Sequence, residues 1–98
     1  MFSRIFPFSI HIVRGHSMKP FLDEGNRVVV FRWAYLFSRP KVGDIIVFDS
    51  NGEKYVKRVA AVDKSGELVV EGDNRDDSRK LPPVRRSAII SRVVGKYR

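Results

Sequence analysis

Residues 42–62, VGDIIVFDSNGEKYVKRVAAV, contain two apolar runs rich in β-branched residues on either side of a turn signal. The first run, residues 45–48, is short and continuous, and the second, residues 54–62, is longer; both are typical of buried strands. Between them, residues 49–52 combine side chains that can bond the neighbouring backbone with a glycine that tolerates positive φ. The segment therefore predicts two consecutive strands joined by a tight turn.

Four further runs in the 98-residue chain have strand character. Residues 8–13 alternate apolar and polar side chains, as a half-buried strand does. The other three are apolar runs bounded by turn signals, and they cover residues 27–31, 67–70 and 88–94. Only residues 32–38 could form a helical turn. Six short strands predict one all-β domain over residues 1–98, a small coiled β-barrel or sandwich.

The composition excludes several classes of protein. The chain has no cysteine, which excludes disulfide scaffolds, zinc fingers, iron–sulfur proteins and thiol catalysis. No apolar run approaches the roughly 18 residues of a membrane-spanning helix. The 19 Lys and Arg exceed the 11 Asp and Glu, and the formal net charge of +8 favours an anionic partner: nucleic acid, an acidic lipid surface or an acidic protein.

The N-terminal segment, residues 1–9, contains an apolar cluster beside basic side chains. An edge strand is the simpler interpretation of this segment, and a segment that lies on a membrane surface is the alternative. The cluster consists of Met1, Phe2, Ile5, Phe6 and Phe8, with Arg4 and Arg14 nearby.

Ser17 is a candidate nucleophile because of the residues around it. It lies in Gly-His-Ser-Met-Lys-Pro, residues 15–20, directly after a predicted strand. Gly15 permits close backbone approach and Pro20 stiffens the exit from the turn, so the Ser17 hydroxyl could be exposed at a sharp bend. An ordinary surface turn explains the same pattern, and the segment alone leaves both interpretations open.

A serine nucleophile needs a base, and neither histidine of the chain suits this role. His16 is adjacent to Ser17, so in extended backbone its side chain points to the opposite face. His11 has the same parity as Ser17 but lies about 20 Å away along an extended strand. A Ser-His-Asp triad is therefore not expected.

Lys57 is the alternative base. It lies in the strand predicted at residues 54–62, whose two faces are mostly apolar and carry one cation each, Lys57 and Arg58. Burial disfavours the ammonium form and lowers the pKa of a lysine, which helps a lysine to accept a proton from serine. Arg58 cannot serve, because a guanidinium stays protonated. The alternative is that both cations reach solvent from an edge strand.

Residues 71–78, Glu-Gly-Asp-Asn-Arg-Asp-Asp-Ser, form an acidic turn. Their spacing does not match a calcium loop, so no metal site is predicted. A tight turn held by Asn74 and by Asp–Arg pairing is the simpler interpretation, and Ser78 could present its hydroxyl to a neighbouring ammonium. Binding of single-stranded nucleic acid is a weaker hypothesis, since the aromatic residues concentrate before residue 56 and the basic excess follows later.

Three segments, in order along the chain, resemble motifs of the type I signal peptidase family, the Ser-Lys serine peptidases. Residues 15–22 resemble the nucleophile motif Gly-x-Ser-Met-x-Pro-Thr-Leu, and residues 55–59 resemble the segment that carries the base lysine before an arginine. Residues 72–78 resemble the motif Gly-Asp-Asn-x-x-x-Ser, and residues 40–48 resemble the family's Gly-Asp-Val-Val segment. The resemblance covers residues 10–98 and implies the all-β catalytic core of this family.

The resemblance implies a serine endopeptidase that removes N-terminal signal or leader peptides after small residues and needs no cofactor. Ser17 would attack the scissile carbonyl, neutral Lys57 would take its proton, and the Ser17 backbone N–H would donate to the oxyanion. Gly15 takes the position at which some members carry a second serine. The implied supporting residues are Gly15, Ser78, Asp73 and Asn74, and the implied substrate-binding residues are Met18 and Pro20.

The partner implied by the resemblance is a precursor protein whose signal or leader peptide binds as an added β-strand. Peripheral contact with an anionic membrane is expected from the family, or a cytoplasmic location if the chain is a dedicated leader-peptide maturase, like those proposed for nickel-type superoxide dismutase. The chain departs from the family at Phe21, which replaces Thr and is predicted to serve local packing. It is also shorter after Ser78 and lacks the Asp–Arg pair expected there. A non-catalytic relative that binds peptides or single-stranded nucleic acid is the alternative function.

Overall fold

The computed structural model describes residues 7–36, 38–74, 76 and 80–97. Its regular structure consists almost entirely of strands, which confirms the all-β prediction. The six strands are β1 (Phe8–Ile12), β2 (Arg27–Phe31), β3 (Ile45–Ser50), β4 (Glu53–Val62), β5 (Leu68–Glu71) and β6 (Ile89–Tyr97). A 3-10 helix, Arg86–Ala88, precedes β6, and residues 32–36 form successive turns where a helical turn is predicted.

The six strands form one antiparallel sheet in the order β1-β2-β6-β3-β4-β5. β1 is an edge strand and pairs with β2 along its whole length. β4 is the longest strand, and it pairs with β3 through residues 53–58 and with β5 through residues 58–62. Consequently β5 does not extend along the first half of β4, where Lys57 lies. β6 runs beyond its predicted end at residue 94, because its last residues pair with the start of β2.

The apolar core consists of two clusters on opposite faces of the sheet. In β3, Ile45 and Val47 belong to one cluster, while Ile46 and Phe48 belong to the other. Side chains of a strand alternate between faces, so a strand that feeds both clusters is buried on both sides, as its continuous apolar run predicts. The first cluster comprises Val13, Met18, Leu22, Val28, Val30, Ile45 and Val47, and the second comprises Ile46, Phe48, Val59, Leu68, Val70 and Val84.

The N-terminal segment is described from residue 7 onward. Phe8, Ile10 and Ile12 of the edge strand β1 expose much of their side chains. Contact of this segment with a membrane surface stays a prediction, and residues 1–6, on which most of the apolar cluster falls, lie outside the described residues. In the described part of the chain no helix has the length and apolar character needed to span a bilayer.

Candidate active site

Ser17 lies in the loop that leaves β1 and returns to β2. Two backbone hydrogen bonds close the base of this loop: the Val13 N–H donates to the Asn26 carbonyl at 2.9 Å, and the Gly25 N–H donates to the Val13 carbonyl at 2.8 Å. Beyond this closure Gly15 has a φ of 80°, a backbone conformation that glycine adopts without steric cost. The chain therefore turns sharply two residues before Ser17.

Two buried side chains anchor the loop in the core. Met18 and Leu22 both belong to the first apolar cluster, and the Leu22 N–H donates to the Met18 carbonyl at 2.9 Å. Ser17, immediately before Met18, stays partly exposed. Burial of Met18 next to the partly exposed Ser17 holds the backbone of the loop against the core and leaves Ser17 at its surface.

The segment that follows β5 packs directly on the backbone of the Ser17 loop. The Asn74 N–H donates to the Ser17 carbonyl at 2.8 Å, and Asn74 Nδ2 donates to the His16 carbonyl at 2.9 Å. A Cβ built at Gly72 would overlap the Ser17 carbonyl oxygen and lie 3.1 Å from Ser17 Cβ. Residues 72–74 thus hold the predicted nucleophile in place, and the close approach requires glycine at position 72.

An ion pair ties the same segment to β4. Arg58 Nε donates to Asp73 Oδ1 and Arg58 Nη2 donates to Asp73 Oδ2, each at 2.8 Å, while Arg58 Nη1 donates to the Gly43 carbonyl at 3.0 Å. The hydrogen bonds to Asp73 raise the pKa of the Arg58 guanidinium. The sequence predicts that the family's Asp–Arg pair after Ser78 is missing; Arg58 and Asp73 supply an Asp–Arg brace from other positions.

Phe21 has a different environment from the local packing predicted for it. Its side chain is 42% exposed, with the Arg58 guanidinium carbon 5.3 Å and Lys96 Nζ 4.5 Å from the ring centroid. Lys96 Nζ also donates to the Phe21 carbonyl at 2.7 Å. The ring therefore lies at the surface between two cations, which its negative face attracts.

Ser17 and Lys57 line the same cavity, whose volume is about 260 Å³. Lys57 is only 4% exposed, as expected for a strand with two apolar faces. Its strand partner is Ile46 of the second cluster, whereas Arg58 pairs with Ile45 on the other face and stays partly exposed. The structure thus brings the two predicted catalytic residues to one cavity and separates Lys57 from its neighbouring cation.

Not all of the other predicted site residues lie at this cavity. Met18 lines the cavity, whereas Pro20 is exposed and does not line it. The Gly15 N–H is directed to Glu24, with Oε2 at 3.3 Å. Within the residues that the structure describes, the backbone N–H of Ser17 makes no hydrogen bond. Ser78 lies outside the described residues.

His11 also lines this cavity, although an extended strand would place it far from Ser17. The sharp turn at Gly15 brings the end of β1 and the Ser17 loop around the same space. Burial and the positive charges of Lys54 and Arg14 lower the pKa of His11 from its usual 6.5, so its imidazole is neutral at pH 7. Sequence reasoning missed His11 because it assumed continued extension of the strand.

Comparison with known proteins identifies the family. The sequence model described as signal peptidase, peptidase S26, matches residues 1–63. Signal peptidase I of Bacillus caldolyticus is 35% identical over 101 aligned residues, which cover 96% of this chain and 55% of the relative. The chain belongs to the signal peptidase family, peptidase S26. Its all-β fold is consistent with the catalytic core of that family.

Other signal peptidases match shorter parts of the chain. A probable signal peptidase I-1 of Synechocystis sp. is 36% identical over 69 residues, covering 60% of this chain and 35% of the relative. A protein named inactive signal peptidase IA, from Staphylococcus aureus, is 31% identical over 61 residues, covering 62% of the chain and 35% of the relative. The chain spans about half the length, or less, of the curated relatives it matches.

Proposed function

We propose that this signal peptidase family member is a serine endopeptidase in which Ser17 is the nucleophile and Lys57 the base. The observation that carries the proposal is the shared cavity: a partly exposed serine on a fixed loop and a lysine that is almost wholly buried line one space of about 260 Å³. A buried amine loses the hydration that favours its charged form, and a neutral amine can accept a proton from a hydroxyl.

The proposed reaction proceeds through an acyl-enzyme. Ser17 Oγ attacks the carbonyl carbon of the scissile peptide bond while Lys57 Nζ takes the hydroxyl proton. The oxyanion that forms accepts a hydrogen bond from the Ser17 N–H, which is not used elsewhere in the described residues. Collapse of this intermediate expels the amine, to which Lys57 returns the proton. Water, deprotonated by Lys57, then hydrolyses the ester and regenerates Ser17.

The proposed substrate is an N-terminal signal or leader peptide cut after a small residue. β1 is an edge strand of the sheet and leads directly to the Ser17 loop, so an extended peptide can add alongside it through backbone hydrogen bonds. The buried Met18 lines the cavity together with Ser17. The proposed preference for a small residue such as alanine before the cleaved bond rests on the family resemblance.

A second candidate function is peptide binding without turnover. One observation favours it specifically: relatives matching residues of this chain at 31% identity carry the name inactive signal peptidase IA. Such a protein would hold the peptide along β1 in the same way and would not need Lys57 to lose its proton.

Cleavage of a peptide with an Ala-Xaa-Ala junction distinguishes the two functions. We expect the wild type to cut after the second alanine, and Ser17→Ala and Lys57→Met each to lower turnover by a factor of about a hundred or more while the protein stays folded. Lys64→Met removes an exposed lysine from the turn between β4 and β5, and as a matched control it should leave turnover unchanged. Peptide binding by a folded wild type with no cleavage would contradict the enzymatic proposal and support the second.

A further inference from the structure

A second cavity adjoins the one at Ser17. It has a volume of about 290 Å³ and shares His11 and Lys54 with the first cavity. Ser9 of β1 and Ser91 of β6 also line the second cavity. The two cavities follow the course of β1, so a peptide bound along this strand with its scissile bond at Ser17 would place a more distant side chain in the second cavity.

Among the described residues, the side chains that line both cavities include cations and no acids. Arg32 and Lys54 line the second cavity, and Arg14 and Lys54 line the first. No Asp or Glu of the described chain lines either cavity. Asp49 stands opposite Lys54 in the register of β3 and β4, but within the described residues neither Lys54 nor the two arginines form an ion pair.

One residue that lines the second cavity, Ser91, has a buried hydroxyl. Ser91 is only 2% exposed, and among the described residues its Oγ has no hydrogen-bond partner. A buried polar group without a partner loses its hydrogen bonds to water, and no hydrogen bond within the protein replaces them. Such groups are rare, so each one calls for an explanation. A bound acceptor such as a carboxylate would give this hydroxyl a partner beside two cations.

We propose that the second cavity is a specificity subsite for an acidic side chain of the substrate peptide. The carboxylate of an Asp or Glu would accept hydrogen bonds from Lys54, Arg32 and the Ser91 hydroxyl. The inference extends the proposed function: it restricts the substrates to leader segments that carry an acid a few residues from the cleaved bond.

Binding measurements test the subsite without requiring turnover. The full chain with Ser17→Ala is titrated with fluorescent peptides that share an Ala-Xaa-Ala junction and carry a single Glu or Gln, moved one position at a time. We expect one position at which Glu lowers Kd about fivefold relative to Gln, and a smaller ratio at high salt. Equal Kd values for Glu and Gln at every position would overturn the proposal.

Substitutions of the cavity residues show which side chains cause the preference for Glu over Gln. In the same Ser17→Ala background, Lys54→Gln and Arg32→Gln should each reduce the ratio of Glu to Gln affinity toward one, and Ser91→Ala should reduce it partly. Lys64→Gln, an identical change at an exposed lysine outside both cavities, should keep the full ratio. A ratio that survives both Lys54→Gln and Arg32→Gln would place the preference elsewhere and refute the subsite.

Cleavage by the wild type separates this inference from the function on which it rests. If peptides are cut, the preference for Glu should reappear in kcat/KM. A preference in binding with no cleavage would uphold the subsite and contradict the proposed catalysis. Cleavage with no preference in either measurement would uphold the catalysis and contradict the subsite.

Discussion

Replacing Gly72 by alanine should displace Ser17, since these residues touch across 55 positions of sequence. The new Cβ would overlap the Ser17 carbonyl oxygen and lie 3.1 Å from Ser17 Cβ and 3.2 Å from the Ser17 carbonyl carbon. Real Cβ atoms essentially never come within 3.0 Å of a non-bonded heavy atom, and the atoms that the new Cβ would meet are backbone atoms and the Cβ of Ser17. One of the two segments must therefore move.

The movement has two measurable consequences. Overpacking of this kind costs about 1–3 kcal/mol of unfolding free energy, and it strains the hydrogen bond from the Asn74 N–H to the same carbonyl. Under the proposed function, a nucleophile misplaced by about 1 Å loses turnover by a factor of about a hundred. We expect Gly72→Ala to lower both the free energy of unfolding in urea and kcat/KM for the Ala-Xaa-Ala peptide.

A matched control and a structural readout make the test decisive. At Gly95 of β6 an added Cβ meets no atom within 4 Å, and its φ is not positive, so Gly95→Ala should leave stability and turnover near the wild type. Amide chemical shifts of Ser17 and Asn74 should move in Gly72→Ala and stay in place in Gly95→Ala. A folded Gly72→Ala protein with unchanged stability and unchanged shifts at Ser17 would refute the close contact.

Three further changes test individual side-chain interactions of the fold and the titration of His11. Arg58→Lys keeps the charge but loses the two-pronged bond to Asp73, and urea denaturation should show a loss of about 1–2 kcal/mol; unchanged stability would contradict a role for the brace. Tyr35→Phe removes the hydroxyl that donates to Asp44 Oδ2 at 2.7 Å and should cost a similar amount in the same assay, whereas a neutral result would mean that this bond contributes nothing. The lowered pKa of His11 means that the unfolded chain binds its proton more readily than the folded one, so stability should fall as pH drops below about 6.5. His11→Gln should flatten that part of the stability curve, and an unchanged slope would contradict the assignment.

The strands were predictable because local pattern determines them. Residues 45–48 form a continuous apolar run, and the structure buries this strand on both faces. Lys57 could be predicted to be buried for the same reason, since its neighbours on β4 are apolar on either face. Such inferences need only the alternation of side chains along a strand and the cost of leaving apolar surface in water.

The contacts that hold the Ser17 loop in place were not predictable from the local sequence pattern. The contact of Gly72 with Ser17 and the pairing of Arg58 with Asp73 join segments that meet only after the sheet has formed. His11 was not predicted to line the Ser17 cavity, because the sequence pattern does not specify the backbone geometry of the sharp turn at Gly15. The strand order β1-β2-β6-β3-β4-β5 likewise depends on which apolar faces pack together, and the periodicity of the sequence does not determine this.

Lys57 as the base for Ser17 is the central step of the proposed mechanism, and a pH–rate profile tests this assignment most directly. Cleavage of the Ala-Xaa-Ala peptide is measured from about pH 6 to about pH 10 for the wild type, Lys57→Met and the control Lys64→Met. We predict a rate that rises toward alkaline pH in the wild type and the control, as the amine loses its proton. In Lys57→Met we predict a rate that is lower by a factor of about a hundred or more throughout this range and shows no such rise. A folded Lys57→Met protein that cuts the peptide at close to the wild-type rate, or a folded wild type that does not cut it, would contradict this role of Lys57.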